Sequence, residues 1–157
     1  MIGLNCQLKI GGYLLLTKEF IVLLKDEKGI PALNDYKLFC FSGEPKLTLV
    51  CSERFSKGGL REDFFDEEWI LTSIKRPGHP NSNTEIPKPK NFEHMKVFAR
   101  QLSQVYPFLR VDFYETNGIL YFDELTFYPA SGFEEFEPSE WDYEMGEWIH
   151  LPERRLI

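Results

Sequence analysis

The sequence is poor in cysteine and histidine and has no long uninterrupted hydrophobic run. Three cysteines without a CxxC spacing and three histidines without metal-binding spacing occur among 157 residues. The cysteines are Cys6, Cys40 and Cys51. An odd, scattered set argues against a disulfide framework or a zinc site and indicates a reducing, cytoplasmic setting. The apolar stretch Tyr13 to Leu24 contains Lys18 and Glu19 and is too short to cross a bilayer, so no membrane span is expected.

An excess of basic charge is also absent. The chain has 18 lysines and arginines against 25 aspartates and glutamates, a net charge of −7. Residues 129–157 contain eight acidic and two basic residues, so residues 1–128 are close to neutral. Nucleic-acid binding requires cations that face phosphates, and we therefore expect no nucleic-acid partner. A local basic cluster in the near-neutral part can still bind a small anion.

The composition is that of a folded domain with a substantial core. Hydrophobic residues make up 43% of the chain and aromatic residues 15%, which excludes disorder and low-complexity sequence. The length fits one domain, residues 1–157. Two hairpin patterns and two helical patterns predict an α+β fold, an antiparallel β-sheet with flanking helices.

The hairpins are indicated by turn residues between β-type runs. Tyr36–Phe41 and Leu47–Cys51 flank Ser-Gly-Glu-Pro, and Leu109–Tyr114 and Ile119–Tyr128 flank an Asn-Gly pair. Residues 52–63 and 75–90 are predicted to be loops, because they are polar or rich in proline.

The helices are indicated by apolar residues spaced three to four apart. Asn91 to Val105 has this spacing, with Asn91 as the predicted N-cap and Pro107 beyond its end. A second, shorter helix is predicted between Ser139 and Ile149, with Trp141 and Met145 on one face.

The second hairpin contains the residues with the clearest chemistry. Arg110 and Asp112 share one face of a strand, as do Glu124 and Thr126 on the next. An odd-length turn places Asp112 beside Glu124, whereas a strict two-residue turn pairs Asp112 with Asp123. Two converging carboxylates suit Mg²⁺. The alternative is the wet face of a surface hairpin, with Arg110 as a salt-bridge partner.

The run RVDFY…NG…YFDELTFYP resembles the last hairpin of ATP-grasp ligases, and the wider pattern resembles the TupA-like ATP-grasp family. The similarity covers about residues 24–152. It includes NDYKLFCFSGEPK at 34–46, PKPKNF at 87–92 and ELTFYP at 124–129. It implies the C-terminal lobe of an ATP-grasp fold.

The resemblance also implies roles for individual residues. The Mg²⁺ ligands would be Asp112, Glu124 and Thr126, and Arg110 would act on the transferring phosphoryl group. Nucleotide-binding roles fall to Lys37, Asp35, Arg54 and Arg61. Thr126 is the usual residue of this branch, whereas Asp123 stands where glycine is usual.

The activity implied is an ATP- and Mg²⁺-dependent carboxylate–amine ligase of cell-surface polysaccharide or teichuronopeptide biosynthesis. Its partners would be a nucleotide and a small-molecule or glycan-linked substrate. Residues 1–24 are too short for the Gly-rich flap and adenine-binding strand of the family, so we expect a C-terminal portion whose N-terminal portion is missing.

Two other functions remain open from the sequence. One is a non-catalytic remnant or interaction module that retains the fold. The other is a glycan-binding domain that uses Trp69, Trp141 or Trp148.

Overall fold

The computed structural model describes residues 7–10, 13–17 and 33–151, with side chains from residue 33 onward. Cys6 and the predicted apolar run beyond residue 17 lie outside the described residues. The strands are β1 (Gln7–Ile10), β2 (Tyr13–Thr17), β3 (Asp35–Phe41), β4 (Glu44–Ser52), β5 (Arg61–Phe65), β6 (Phe108–Thr116) and β7 (Ile119–Thr126). The helices are α1 (Phe92–Ser103) and α2 (Glu140–Glu147).

The strands form one sheet in the order β1-β2-β7-β6-β3-β4-β5. The five strands from β7 to β5 pair with one another in antiparallel fashion, which confirms the predicted α+β class. The sheet also has a parallel pair that was not predicted, because β2 runs alongside β7 in the same direction. Within the described ranges, neither helix has the length and apolar character needed to span a membrane.

Both predicted hairpins are confirmed. The β3–β4 turn is formed by Ser42 and Gly43, with φ of 51° and 91°. The β6–β7 turn is formed by Asn117 and Gly118, with φ of 53° and 71°. Two consecutive residues with positive φ match the right-handed twist of the flanking strands, which is why Asn-Gly is favoured there.

The two faces of the sheet have separate cores. Even-numbered residues of β3 such as Leu38 face α1, where they pack with Met95 and Phe98. Odd-numbered residues such as Phe39 face the other way and pack with Met145 of α2. Trp141 and Trp148 pack against this second core. The alternation of side chains along each strand therefore divides the core into two layers.

Helix α1 ends at Ser103, two residues before the predicted boundary. Asn91 occupies the N-cap position, but its side chain makes no capping hydrogen bond. Its Nδ2 donates to the carbonyl oxygen of Gly118 at 3.0 Å instead. The amide thus ties the start of α1 to the β6–β7 turn.

The predicted loop at 52–63 is shorter in the structure, because β5 begins at Arg61. The adjacent aromatic residues pack in the core: Phe65 is buried and Trp69 stacks on it, with ring centroids 4.4 Å apart. Residues 75–90 contain isolated bridges but no helix or extended strand. The prediction that residues 75–90 are irregular is confirmed, although this segment contributes the buried Ile86 to the core.

Candidate functional site

A β-bulge in the second hairpin positions the carboxylates. The register of β6 with β7 shifts between Val111 and Phe113. As a result, Asp123 and Glu124 of β7 both lie opposite Asp112 of β6. The structure thus combines the two arrangements that the sequence left open. The two-residue turn places Asp123 across from Asp112, and the bulge brings Glu124 to the same position.

Asp112 is completely buried and is neutralised by two cations. Lys37 lies directly opposite it on β3, and its Nζ is 2.7 Å from Oδ2. Arg110 donates to both carboxylate oxygens, from Nε to Oδ1 at 2.9 Å and from Nη2 to Oδ2 at 2.7 Å. Such two-pronged arginine contacts are among the stronger charge-assisted hydrogen bonds.

The cations in this cluster remain charged in spite of their burial. Burial alone would lower the pKa of Lys37, but the charges of Asp112 and Asp35 outweigh it and the pKa is raised. Burial likewise opposes the charge of Arg110, and its hydrogen bonds to Asp112 together with Glu124 raise its pKa. Both side chains are therefore fixed positive charges.

Asp35 brings a second buried carboxylate to the same face. It is 2% exposed, and its Oδ2 is 2.7 Å from Lys37 Nζ and 3.2 Å from Arg54 Nη2. Its Oδ1 is buried and has no hydrogen-bond partner among the described residues. Burial raises the pKa of Asp35 in spite of Lys37. A buried oxygen without a partner is costly, so it indicates a position for a ligand or water.

Asp123 completes a group of three carboxylates. One oxygen each from Asp35, Asp112 and Asp123 lies within 4.8 Å of the others. Burial, followed by the negative charges of Asp35, Glu124 and Asp112, raises the pKa of Asp123 to about 6. Carboxylate oxygens are the ligands that Mg²⁺ and Ca²⁺ prefer. The donor set and the unpartnered oxygen of Asp35 both fit a hard divalent cation.

The other predicted metal ligands lie at the rim of this group. Glu124 is largely exposed, and its Oε1 accepts a hydrogen bond from Arg110 Nη2 at 3.1 Å. The hydroxyl of Thr126 donates to the same oxygen at 3.4 Å. The sequence predicted Asp112 with Glu124 and Thr126, and the structure groups Asp112 with Asp35 and Asp123 as well.

Of the two arginines predicted to bind nucleotide from the loop, only Arg54 lies at the cluster. Arg54 contacts Asp35 in the cluster. Arg61, at the start of β5, lies opposite Ser52 of β4. Asp35 lies opposite the preceding residue, Cys51, so Arg61 points to the other face of the sheet. Its Nε is buried without a hydrogen-bond partner in the part of the chain that the structure describes. The structure therefore does not bring Arg61 into contact with the other predicted site residues.

Sequence reasoning missed a second ionic chain on the same face. Arg76 Nη1 donates to both oxygens of Glu62 at 3.0 Å, and its Nε is 2.7 Å from Glu134 Oε1. Burial raises the pKa of Glu134 against the opposing effect of Arg76 and Arg110. Glu134 in turn contributes to the raised pKa of Arg110. No local pattern marks these residues, because three separate segments supply them.

The sheet, its terminal hairpin and the family comparison together place the chain among ATP-grasp proteins. Residues 15–150 match the family model described as TupA-like ATPgrasp. The chain therefore belongs to the TupA-like ATP-grasp family. No curated protein and no solved structure gives a significant match.

Proposed function

We propose that the cluster binds Mg²⁺ and the phosphates of ATP, as the C-terminal part of an ATP-grasp carboxylate–amine ligase site. The observation that carries the proposal is the placement of Asp112. This buried carboxylate contacts Lys37 and Arg110, and one of its oxygens lies within 4.8 Å of an oxygen of Asp35 and of Asp123. Acidic and basic groups thus lie on one sheet face, as a cation–phosphate complex requires.

The balance of charge in the cluster supports a cation. Its carboxylates are Asp35, Asp112, Asp123 and Glu124, and its cations are Lys37, Arg54 and Arg110. The ionised groups together leave one negative charge. A divalent cation would convert this to one positive charge, which favours a bound phosphate.

The residues divide into two roles. Asp35, Asp112 and Asp123 would bind the cation, with Glu124 available at the rim. Arg110 and Arg54 can turn toward phosphate oxygens, and Arg54 is the more accessible because half of its side chain is exposed. The bound cation would neutralise charge on the transferring phosphoryl group.

The wider role that we propose is supported by the family. It is the ATP-dependent ligation of a small-molecule or glycan-linked substrate in polysaccharide or teichuronopeptide biosynthesis, in the cytoplasm. Arg110 would be the catalytic residue that stabilises charge on the phosphoryl or acyl-phosphate group.

One observation favours the alternative, a non-catalytic module that retains the fold. The ammonium group of Lys37 is 2.7 Å from both Asp35 and Asp112, so it already bridges two of the carboxylates. A protein in which this bridge is permanent would fold stably and ignore nucleotide.

Titration calorimetry with Mg²⁺–ATP distinguishes the two functions. We expect binding that weakens at least tenfold in Asp123→Asn and in Glu124→Gln. Asp142→Asn on α2 is the matched control for loss of one carboxylate and should bind as the wild type does. Affinity for Mg²⁺–ATP that is the same in all four proteins, or absent from the wild type, contradicts the proposed site.

A further inference from the structure

A cavity of about 500 Å³ lies against the aromatic end of the second core face. Its walls are Phe39, Phe41 and Phe108 of the sheet, Phe127 and Tyr128 after β7, and Met145 and Gly146 of α2. A concave, mostly aromatic site of this volume is the usual form of a small-molecule pocket. The cavity is separate from the carboxylate cluster, and none of the residues assigned to the cation or nucleotide lines it.

The charged groups in the lining have one sign. Glu134 and Asp142 are the carboxylic acids of the lining, and no lysine, arginine or histidine between residues 33 and 151 lines the cavity. Glu134 is already paired with Arg76 at 2.7 Å. The carboxylate of Asp142 has no ion pair or side-chain hydrogen bond to any residue between 33 and 151. An unpaired carboxylate at an aromatic cavity favours a ligand with an apolar body and a positive charge.

The cavity adjoins the proposed catalytic residue. Phe39, which lines it, is the register partner of Arg110 across β3 and β6. Glu134 also lines it and acts electrostatically on Arg110. A ligand in this cavity therefore lies next to Arg110, at the end of the carboxylate cluster that is away from Asp35.

We propose that this cavity binds a small primary amine carrying an aromatic or aliphatic group. The ammonium group pairs with Asp142, and the apolar group packs on the phenylalanine rings. The further role of this amine as the acceptor in ligation rests on the proposed function, whereas the binding itself does not.

Gly146 provides a variant that fills the cavity without straining the backbone. It lies in α2, and a Cβ built on it has no atom within 4 Å. Gly146→Phe therefore places a ring in open space at the cavity wall. Glu147→Phe adds the same ring one residue along the helix, at an exposed position outside the lining, and is the matched control.

The probes are phenethylamine and 3-phenylpropionate, which are similar in size and opposite in charge. Calorimetry and amide NMR shifts should show millimolar or tighter binding of the amine. We expect at least tenfold weaker binding of the acid, with shift changes confined to the cavity lining at residues 39–41, 106–108 and 127–151. Gly146→Phe should abolish amine binding and Asp142→Asn should weaken it several-fold. Glu147→Phe and Glu147→Gln should bind as the wild type does.

Three results would overturn the proposal. They are no saturable binding of the amine, equal binding of amine and acid, and an affinity unchanged in both Gly146→Phe and Asp142→Asn. Mg²⁺–ATP titration of the same proteins separates this proposal from the proposed function. Amine binding without nucleotide binding supports the cavity and contradicts the ligase, and the reverse result contradicts the cavity alone.

Discussion

Lys37 and Asp112 face each other across the β3–β6 pair, with Lys37 Nζ 2.7 Å from Asp112 Oδ2. They are 75 residues apart in the sequence. The same ammonium group is also 2.7 Å from Asp35, so one lysine neutralises parts of two buried carboxylates. The cluster therefore depends on this residue for its charge balance.

Lys37→Met should destabilise the fold by about 3 kcal/mol, the low end for a broken buried ion pair, because Arg110 still pairs with Asp112. Urea unfolding measures the difference. Lys88→Met is the control, since Lys88 pairs with Glu93 at the exposed surface and should cost less than about 1 kcal/mol. Equal losses in the two variants would show that the buried bridge contributes little.

Mg²⁺ should stabilise Lys37→Met more than it stabilises the wild-type protein. Without the ammonium group, Asp35 and Asp112 each lose one cationic partner and attract a divalent cation more strongly, and binding to the folded state alone raises stability. The shift in melting temperature across a Mg²⁺ titration measures this effect. Identical shifts in the variant and the wild type would argue against a cation at these carboxylates.

Asp123→Asn should stabilise the metal-free protein at neutral pH. The pKa of Asp123 is raised from 3.8 to about 6, chiefly by burial, so the folded state prefers its protonated form. The contribution of the wild-type Asp123 to the free energy of unfolding is therefore fully present below pH 3.8 and is lost as pH rises through about 6.

Urea unfolding in the presence of EDTA between pH 4 and 7 measures the difference between Asp123→Asn and the wild type. The advantage of the variant should grow as pH rises to about 6 and then level off. An advantage that is greatest at the acidic end contradicts the assigned direction.

Two glycine substitutions should act in opposite directions. Gly118→Ala should cost about 1 kcal/mol or more, because φ at this turn position is +71°. Gly146→Ala lies in α2 with an open side and should stabilise by as much as about 1 kcal/mol. Thermal unfolding of both variants measures the signs. Stabilisation by Gly118→Ala would contradict the left-handed turn.

Phe64→Ala should destabilise by about 3 to 5 kcal/mol, because Phe64 is fully buried in the second core. Phe133→Ala is the matched control, since Phe133 is 85% exposed and should change stability little. Chemical denaturation compares the two. A similar loss at Phe133 would indicate that its ring is covered in the folded protein.

Much of the fold follows from local patterns in the sequence. A two-residue hairpin turn requires positive φ at two successive residues, which Asn117 and Gly118 tolerate, and this pair between two β-type runs predicts the β6–β7 hairpin. The spacing of Phe92, Met95 and Phe98 predicts α1, because residues three and four apart share one face of a helix. The motifs RVDFY and ELTFYP, together with NDYKLFCFSGEPK and PKPKNF in the same order, indicated the family that residues 15–150 match.

The tertiary structure decided which groups meet. The bulge that sets Asp123 and Glu124 opposite Asp112 depends on how β6 and β7 pair, and neither strand encodes it alone. The proximity of Asp35 to Asp112 needs β3 to lie beside β6, and the link from Arg76 to Glu134 needs two distant segments to meet. Turn and periodicity signals act over a few residues, whereas the site is made by pairing across strands far apart in sequence.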